Sequence, residues 1–343
     1  MNIKAALEHI VQGRNLSAAE AEEVFNEIMT GNATPAQIGA LLTGMRLKGE
    51  TPEELAGAAA TMRKLSTRVT VDVPHLVDTC GTGGSGTKLF NISTAAAFVT
   101  AAAGAKVAKH GNRKMTSFCG SADLLEAAGV NLELDPSQIA VCIEEVGVGF
   151  MFAPAHHSAM RFAGPVRQEI GIRTMMNVLG PMTNPAGARH QVIGVFDPAW
   201  QERMAQVLQL LGTTHALIVH SEGLDEIRLD AATRVVELKG DEISTFTIAP
   251  EDFRISRADA ATVSSLSAQS TEQSLELVMQ SLSDADSAAA DIVALNAGAA
   301  IYAAGVASSI ALGVQLAQDV IASGQAKERL DELVRVSRMM GEA

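Results

Sequence analysis

From Pro74 onward, short apolar runs alternate with helix-like segments, and few architectures accept that order. Residues 75–79 read as a strand, 81–86 as a glycine loop and 92–103 as a helix. Next come a strand at 106–108, a helix opened by Ser121 and stopped at Gly129, and a strand at 131–134. Asp135-Pro136 opens a helix that ends near Gly147, ahead of a strand at 150–152. The pattern resumes with a strand at 191–196, a helix from Asp197-Pro198 to Leu211 and a strand at 216–220. Two or three strands follow within 226–248, and the chain is helical from Thr271. This order predicts a mainly parallel central sheet flanked by helices on both faces.

Residues before about position 67 carry helical signals only. Ala21, Val24, Phe25, Ile28 and Met29 recur at helical spacing, with glutamates between them. Thr34-Pro35 and Thr51-Pro52 each combine an N-cap residue with proline at the first helical position. Helix-like segments at 158–188 interrupt the α/β pattern and read as a return to this bundle. The expected division is a small all-α domain over 1–70, rejoined by 158–188, and a larger α/β domain over 71–157 and 189–343.

Composition narrows the function. Hydrophobic residues make up 47% and charged residues 19% of 343, which suits a globular protein. Acids outnumber bases 39 to 26, and aromatics are 3%. A net charge of −13 fits nucleic acid poorly, and so few aromatics leave little for base stacking. Cys80, Cys119 and Cys142 have neither zinc nor disulfide spacing and point to a reducing, cytoplasmic setting. The N-terminus lacks a signal peptide's apolar core, and the apolar stretch at 95–103 is too short to span a bilayer, so no membrane partner is expected.

Gly81-Thr82-Gly83-Gly84-Ser85-Gly86 lies between a strand and a helix, where exposed N–H groups suit phosphate. It is neither a Walker A loop nor a dinucleotide fingerprint. Asn91, Ser93 and Thr94 open the next helix, whose dipole favours anions. Lys109-His110-Gly111-Asn112-Arg113 follows the next strand and opens on the same side of a parallel sheet. Residues 101–189 hold eight Lys/Arg against seven Asp/Glu, a locally less acidic field that can draw in an anion. Adjacent carboxylates at Asp225-Glu226 can hold Mg²⁺ bridged to phosphates. His156-His157, read as strand residues, would point to opposite faces and serve as polar lining or packing.

Together these motifs resemble anthranilate phosphoribosyltransferases over nearly the whole chain. The likeness runs from Thr34-Pro35-Ala36-Gln37 to Leu295-Asn296-Ala297-Gly298-Ala299-Ala300 and is carried by Gly81 to Gly84, Asn91-Ile92-Ser93-Thr94-Ala95, Lys109 to Arg113, Gly120-Ser121-Ala122-Asp123, Phe152-Ala153-Pro154 with His156-His157, Pro165-Val166-Arg167, Leu179-Gly180-Pro181 with Thr183-Asn184-Pro185, and Gly223-Leu224-Asp225-Glu226. The resemblance implies a helical domain and an α/β domain, paired as a homodimer through the helical part. It implies transfer of phosphoribose from phosphoribosyl pyrophosphate to the amino group of anthranilate, with release of pyrophosphate, in tryptophan biosynthesis. By the same resemblance, Gly81, Gly84, Ser85, Asn91, Ser93, Thr94, Lys109, Ser117 and Ser121 hold phosphoribosyl pyrophosphate. Gly81, His110, Asn112 and Arg167 meet anthranilate, and Ser93, Asp225 and Glu226 ligate Mg²⁺.

Two departures fall on the expected pyrophosphate side. Ser85 stands where the family usually has Asp, and Thr116-Ser117-Phe118-Cys119-Gly120 replaces a common Ser-Ser-Lys-Ser-Gly. One negative and one positive charge are thereby absent. The rival readings are a related pyrimidine nucleoside phosphorylase, which the Asn112, Arg167 and Asp225-Glu226 set fits less well, and a non-catalytic relative that binds nucleic acid.

Overall fold

The computed structural model describes residues 1–83, 88–113 and 118–341. Gly84, Ser85 and Ser117 lie outside them. Four helices open the chain: α1 (Ile3–Val11), α2 (Ala18–Met29), α3 (Pro35–Lys48) and α4 (Pro52–Leu65). Ser17/Glu20, Thr34/Gln37 and Thr51/Glu54 form reciprocal capping boxes at the starts of α2, α3 and α4. The proline starts of α3 and α4 therefore fall where the Thr-Pro pairs predict.

The α/β part runs β1 (Leu76–Gly81), α5 (Ile92–Ala102), β2 (Lys106–Gly111), α6 (Ser121–Ala127), α7 (Pro136–Val141) and β3 (Val148–Phe152). After α8 (Ala153–His156) and α9 (Met160–Ile170) come β4 (His190–Gly194), α10 (Ala199–Leu210), β5 (His215–His220), β6 (Thr233–Lys239) and β7 (Glu242–Ile248). The chain closes with α11 (Ala260–Ser265), α12 (Thr271–Ser283), α13 (Ala288–Ala303), α14 (Ile310–Ala322) and α15 (Gln325–Gly341).

The sheet order is β3-β2-β1-β4-β5-β6-β7. The first five in that row are parallel, and β6 and β7 add antiparallel at the end. Strand alternation divides the burial. Leu217 and Val219 join a core built with α5, α13 and α14. Ala216 and Ile218 face the other way, into a core shared with α1–α4, α9 and α10. Residues of α9 pack against α2 and α3.

Three local expectations change. Residues 131–134 form no strand, because the Asn131 N–H donates to Ser337 Oγ on α15 (3.0 Å) instead of a sheet neighbour. His156 and His157 sit at the end of the short α8, not in a strand. Lys109 and His110 belong to β2 itself, not to the loop beyond it.

Candidate active site

The strand order reverses at β1, with β2 on one side and β4 on the other. Such a switch point leaves a crevice beyond the carboxyl ends of the strands. Gly81 ends β1, Gly194 ends β4, and the two are register partners. Asp225 lies over this pair. A Cβ on Gly81 would come within 2.6 Å of Asp225 Oδ2, and one on Gly194 within 1.6 Å of the Asp225 carbonyl oxygen. The paired glycines thus form the seat of the acidic loop. The Gly83 N–H donates to Asp225 Oδ2 (3.0 Å), lacing the end of the glycine strand to that loop, and the Thr82 N–H donates to the Gly194 carbonyl (2.9 Å), tying it to β4.

Around this seat, one cavity of about 320 Å³ is lined by Gly81, Asn91, Ser93, Thr94, Lys109, His110, Asn112, Ser121, Arg167, Asp225 and Glu226. The fold therefore gathers every described candidate residue. Gly111 allows the close approach of Ser121, since a Cβ there would sit 2.1 Å from Ser121 Oγ. The α5 N-cap makes no side-chain cap. The Asn91 side chain instead accepts from Ser274 Oγ (2.7 Å) and donates to the Cys119 carbonyl (3.2 Å), bracing that corner. The Thr94 hydroxyl is buried without a partner among the described residues.

Lys109 is buried, and its Nζ donates to the Thr79 carbonyl (2.7 Å) and to Ser93 Oγ (3.3 Å). Burial lowers its pKa, while Asp78, Cys80 and Glu226 act to keep it charged. Sequence reasoning gave Asp78 no role, yet it is fully buried and its Oδ1 accepts the His110 N–H (3.3 Å). Burial, and next the Asp225 charge, push the Glu226 carboxyl up to about 8; Lys109 and the Ser93 N–H pull it back. Two carboxylates beside a serine hydroxyl form an all-oxygen set, and a divalent cation there would relieve their repulsion. Among the described residues no three His, Cys, Asp or Glu side chains gather into a cage. One or two carboxylates completed by substrate phosphates is the arrangement Mg²⁺ commonly takes. The residues present fit that ion.

Arg113 lines the cavity, but its guanidinium is engaged by Glu126 (2.6 and 3.1 Å) and Asp123 (3.2 Å). Phe118 is 45% exposed, and Lys88 places its ammonium 5.2 Å from the ring centre. A cation thus stands beside the position where a charge is missing from the family pattern.

A second, more apolar lobe of about 480 Å³ adjoins the first. Gly81, His110, Asn112 and Arg167 border both lobes, and Met62, Met176 and Pro181 line the second alone. The His110 and His157 rings meet there at 5.0 Å between centroids. Each has a buried Nε2 without a partner among the described residues, and the rings hydrogen-bond to the backbone at Gly180 and Thr183 respectively. Burial, then the neighbouring histidine, depresses His110 to about 3 and His157 to about 4. Thr82, Asn177, Arg173 and Phe196 complete the wall, with the Arg173 guanidinium 4.1 Å from the Phe196 ring centre. Thr82 belongs to the glycine loop marked in the sequence, whereas Asn177, Arg173 and Phe196 carried no sequence signal.

The depressed histidines give a stability prediction. Above their ordinary value of about 6.5 both are neutral, folded or unfolded. Between about 6.5 and 4 the unfolded chain takes up protons that the folded site refuses, so stability falls as pH falls. Denaturant melts of wild type and His157→Phe across that window are the check. The variant should lose less stability on acidification, and parallel curves would remove His157 from the account.

Residues 4–66 match the helical bundle domain of the glycosyl transferase family, and residues 73–327 match its a/b domain. The chain is thus a two-domain glycosyl transferase. Anthranilate phosphoribosyltransferases from Ectopseudomonas mendocina and Hahella chejuensis are 56% and 55% identical to it, each over 98% of this chain and 97% or more of their own. The crystal structure of the Thermus thermophilus anthranilate phosphoribosyltransferase superposes with a TM-score of 0.91 at 43% identity, over 97% of this chain and 99% of that one. The Saccharomyces cerevisiae enzyme in complex with PRPP and Mg shares the fold, with a TM-score of 0.86 at 22% identity over 98% of each chain. The chain belongs to the anthranilate phosphoribosyltransferase family.

Proposed function

We propose that this protein transfers phosphoribose from phosphoribosyl pyrophosphate to the amino group of anthranilate, releasing pyrophosphate, in tryptophan biosynthesis. The observation that carries the reading is the two-lobed cavity at the β1/β4 switch point. One lobe holds the acid pair, the start of α5 and buried Lys109; the other is apolar and bordered by Arg167 and neutral histidines. Asp225, Glu226 and Ser93 are the residues that would hold Mg²⁺, which when bound offsets the negative charge of the leaving pyrophosphate.

Cleavage of the bond to pyrophosphate builds positive charge on the sugar and negative charge on the leaving group. Gly81, Asn91, Ser93, Thr94, Lys109 and Ser121 surround the leaving group; Gly84, Ser85 and Ser117, outside the described residues, are assigned to it by their motifs alone. Fixed N–H groups and a buried ammonium meet the charge where it develops, without reorganising. Anthranilate's amine is weakly basic and neutral at pH 7, so no strong base is required. His110 and His157, held neutral, present ring nitrogens that can accept an amine N–H. Asn112 and Arg167 orient the acceptor, and holding amine and sugar in line supplies much of the rate.

The helical unit comprises residues 1–70 with 158–188, and the α/β unit residues 71–157 and 189–343. A homodimer forms through the helical unit; Val11 on α1 and Leu47 on α3 are 74% and 83% exposed and supply apolar surface there. Cys80, Cys119 and Cys142, none of them in a disulfide, suit a cytoplasmic setting. No helix among the described residues is long and apolar enough to cross a membrane.

The direct test follows anthranilate fluorescence with phosphoribosyl pyrophosphate and Mg²⁺; unchanged fluorescence with pure protein at millimolar Mg²⁺ refutes the reading. A finer test concerns Arg167, whose fork can grip the anthranilate carboxylate through two charge-assisted bonds. Arg167→Ala should raise the KM for anthranilate about 10- to 100-fold, the worth of roughly 1.5–3 kcal/mol. The KM for phosphoribosyl pyrophosphate should change far less, and Arg167→Lys should recover only part. Equal effects on both substrates would put Arg167 elsewhere.

A further inference from the structure

The Leu295-Asn296-Ala297-Gly298 stretch has no place in the chemistry described so far. It forms the middle of α13, a helix whose buried residues are mostly Ala, Ile, Leu and Val. Asn296 is buried there, and its polar atoms are committed. Its Oδ1 accepts the Ile227 N–H (3.0 Å), and its Nδ2 donates to the carbonyls of Ile227 (3.0 Å) and Ile292 (2.9 Å). A leucine would fill this core position without any polar group to satisfy, so the asparagine is explained by the loop it grips. The N–H it holds belongs to the peptide bond joining Glu226 to Ile227.

Helix α13 is itself a fixed reference. A Cβ on Gly298 would come within 2.5 Å of the Val314 nitrogen, and one on Gly313 within 2.2 Å of the Gly298 carbonyl oxygen. The α13–α14 crossing is therefore in backbone contact and resists sliding. The same helix packs on α5, whose first turn carries Ser93. Both sides of the acid-pair seat are thus referred to one helix.

We propose that Asn296 is a positioning residue for the Mg²⁺ site, holding the Glu226–Ile227 peptide so that Asp225 and Glu226 face Ser93 across the cavity. The inference rests on the reading of Asp225, Glu226 and Ser93 as the metal ligands. Residues that orient metal ligands in this indirect way typically contribute 10–100-fold to metal affinity.

Mn²⁺ is a spectroscopic stand-in for Mg²⁺, and its binding to the full chain with saturating phosphoribosyl pyrophosphate can be read by water-proton relaxation. Asn296→Ala should weaken Mn²⁺ binding about 10-fold or more, and raise the Mg²⁺ needed for half-maximal turnover in step. Ile301→Ala, a core truncation on the same helix, should lower Tm and leave Mn²⁺ affinity as in wild type. Should Asn296→Ala fail to fold, Asn296→Ser carries the same comparison, since its hydroxyl can keep at most part of the clamp. Wild-type Mn²⁺ affinity in a folded Asn296 variant overturns the proposal while leaving the metal reading intact. A wild-type protein that binds no Mn²⁺ overturns the metal reading and this proposal with it.

Discussion

Asp225→Ala and Glu226→Ala each lower Mg²⁺-dependent turnover of anthranilate by about 10²–10³-fold, corresponding to roughly 3–4 kcal/mol of transition-state stabilisation. Folding stability should stay within ~1 kcal/mol of wild type, the ordinary range for partly exposed carboxylates. Among the described residues neither carboxylate is part of an ion pair that the fold depends on. Burial already disfavours the charged form of Glu226, so its removal costs the ligand-free protein little. Asp225→Asn separates charge from shape. It keeps an acceptor for the Gly83 N–H and so keeps the end of the glycine strand in place, yet it removes the charge a cation needs. Turnover should fall in Asp225→Asn nearly as far as in Asp225→Ala. The measurement is steady-state fluorescence across a Mg²⁺ series, with melting curves alongside. Turnover at the wild-type level in both alanine variants would reduce the pair to ordinary surface.

The parts of this site that could be read in the sequence are those whose signal is local. Thr-Pro starts, a glycine run after a strand and the Lys109 to Arg113 stretch at the end of the next strand all carry meaning within a few residues. The parallel sheet then brings the two loops to one end. Asp225-Glu226 could be marked as a possible cation site from its chemistry alone, but its location could not. The pair reaches the site only because β4 and β5 continue the sheet beyond β1 and the turn after β5 folds back over Gly81 and Gly194.

Residues missed from the sequence depend on contacts between distant elements. Asp78 sits inside an apolar strand and matters through His110 on the next strand. Asn296 looks like one polar residue in an alanine-rich helix until Ile227 is seen against it. His156-His157 is polar lining and packing as expected, but its setting differs for another reason. A strand expected at 150–152 was carried too far, whereas Pro154 at the start of α8 turns the chain and brings His157 beside His110. Residues 131–134 have strand-like composition, but α15, two hundred residues later, takes the Asn131 N–H. No local pattern can report a competing partner at that separation.

Gly194→Ala should lower both activity and Tm, and Gly81→Ala activity alone, although both glycines face Asp225. The difference lies in which atoms a methyl group would meet. At Gly194 it meets the Asp225 backbone, with O at 1.6 Å, C at 2.4 Å and Cα at 3.0 Å. No side-chain rotation relieves that, so the loop must move away from the strand end. Its other anchors, the Asn296 clamp on Ile227 and the Ser221–Leu224 turn, then strain against the shift. Overpacking of this kind typically costs 1–3 kcal/mol of stability. A misplacement of about 1 Å in a reacting group can cost 10²-fold in rate. At Gly81 the nearest atom is Asp225 Oδ2 at 2.6 Å, the far end of a side chain. The carboxylate can swing aside, which breaks its bond with Gly83 and weakens the cation seat but leaves the backbone where it is. Gly164→Ala serves as the control: in α9, with nothing within 4 Å of the new methyl, it should keep wild-type activity and gain up to ~1 kcal/mol from helix propensity. Melting curves and turnover for the three variants decide the matter. If Gly194→Ala keeps wild-type turnover, the acidic loop is not seated on the β1/β4 glycine pair, and the cation seat must be built some other way.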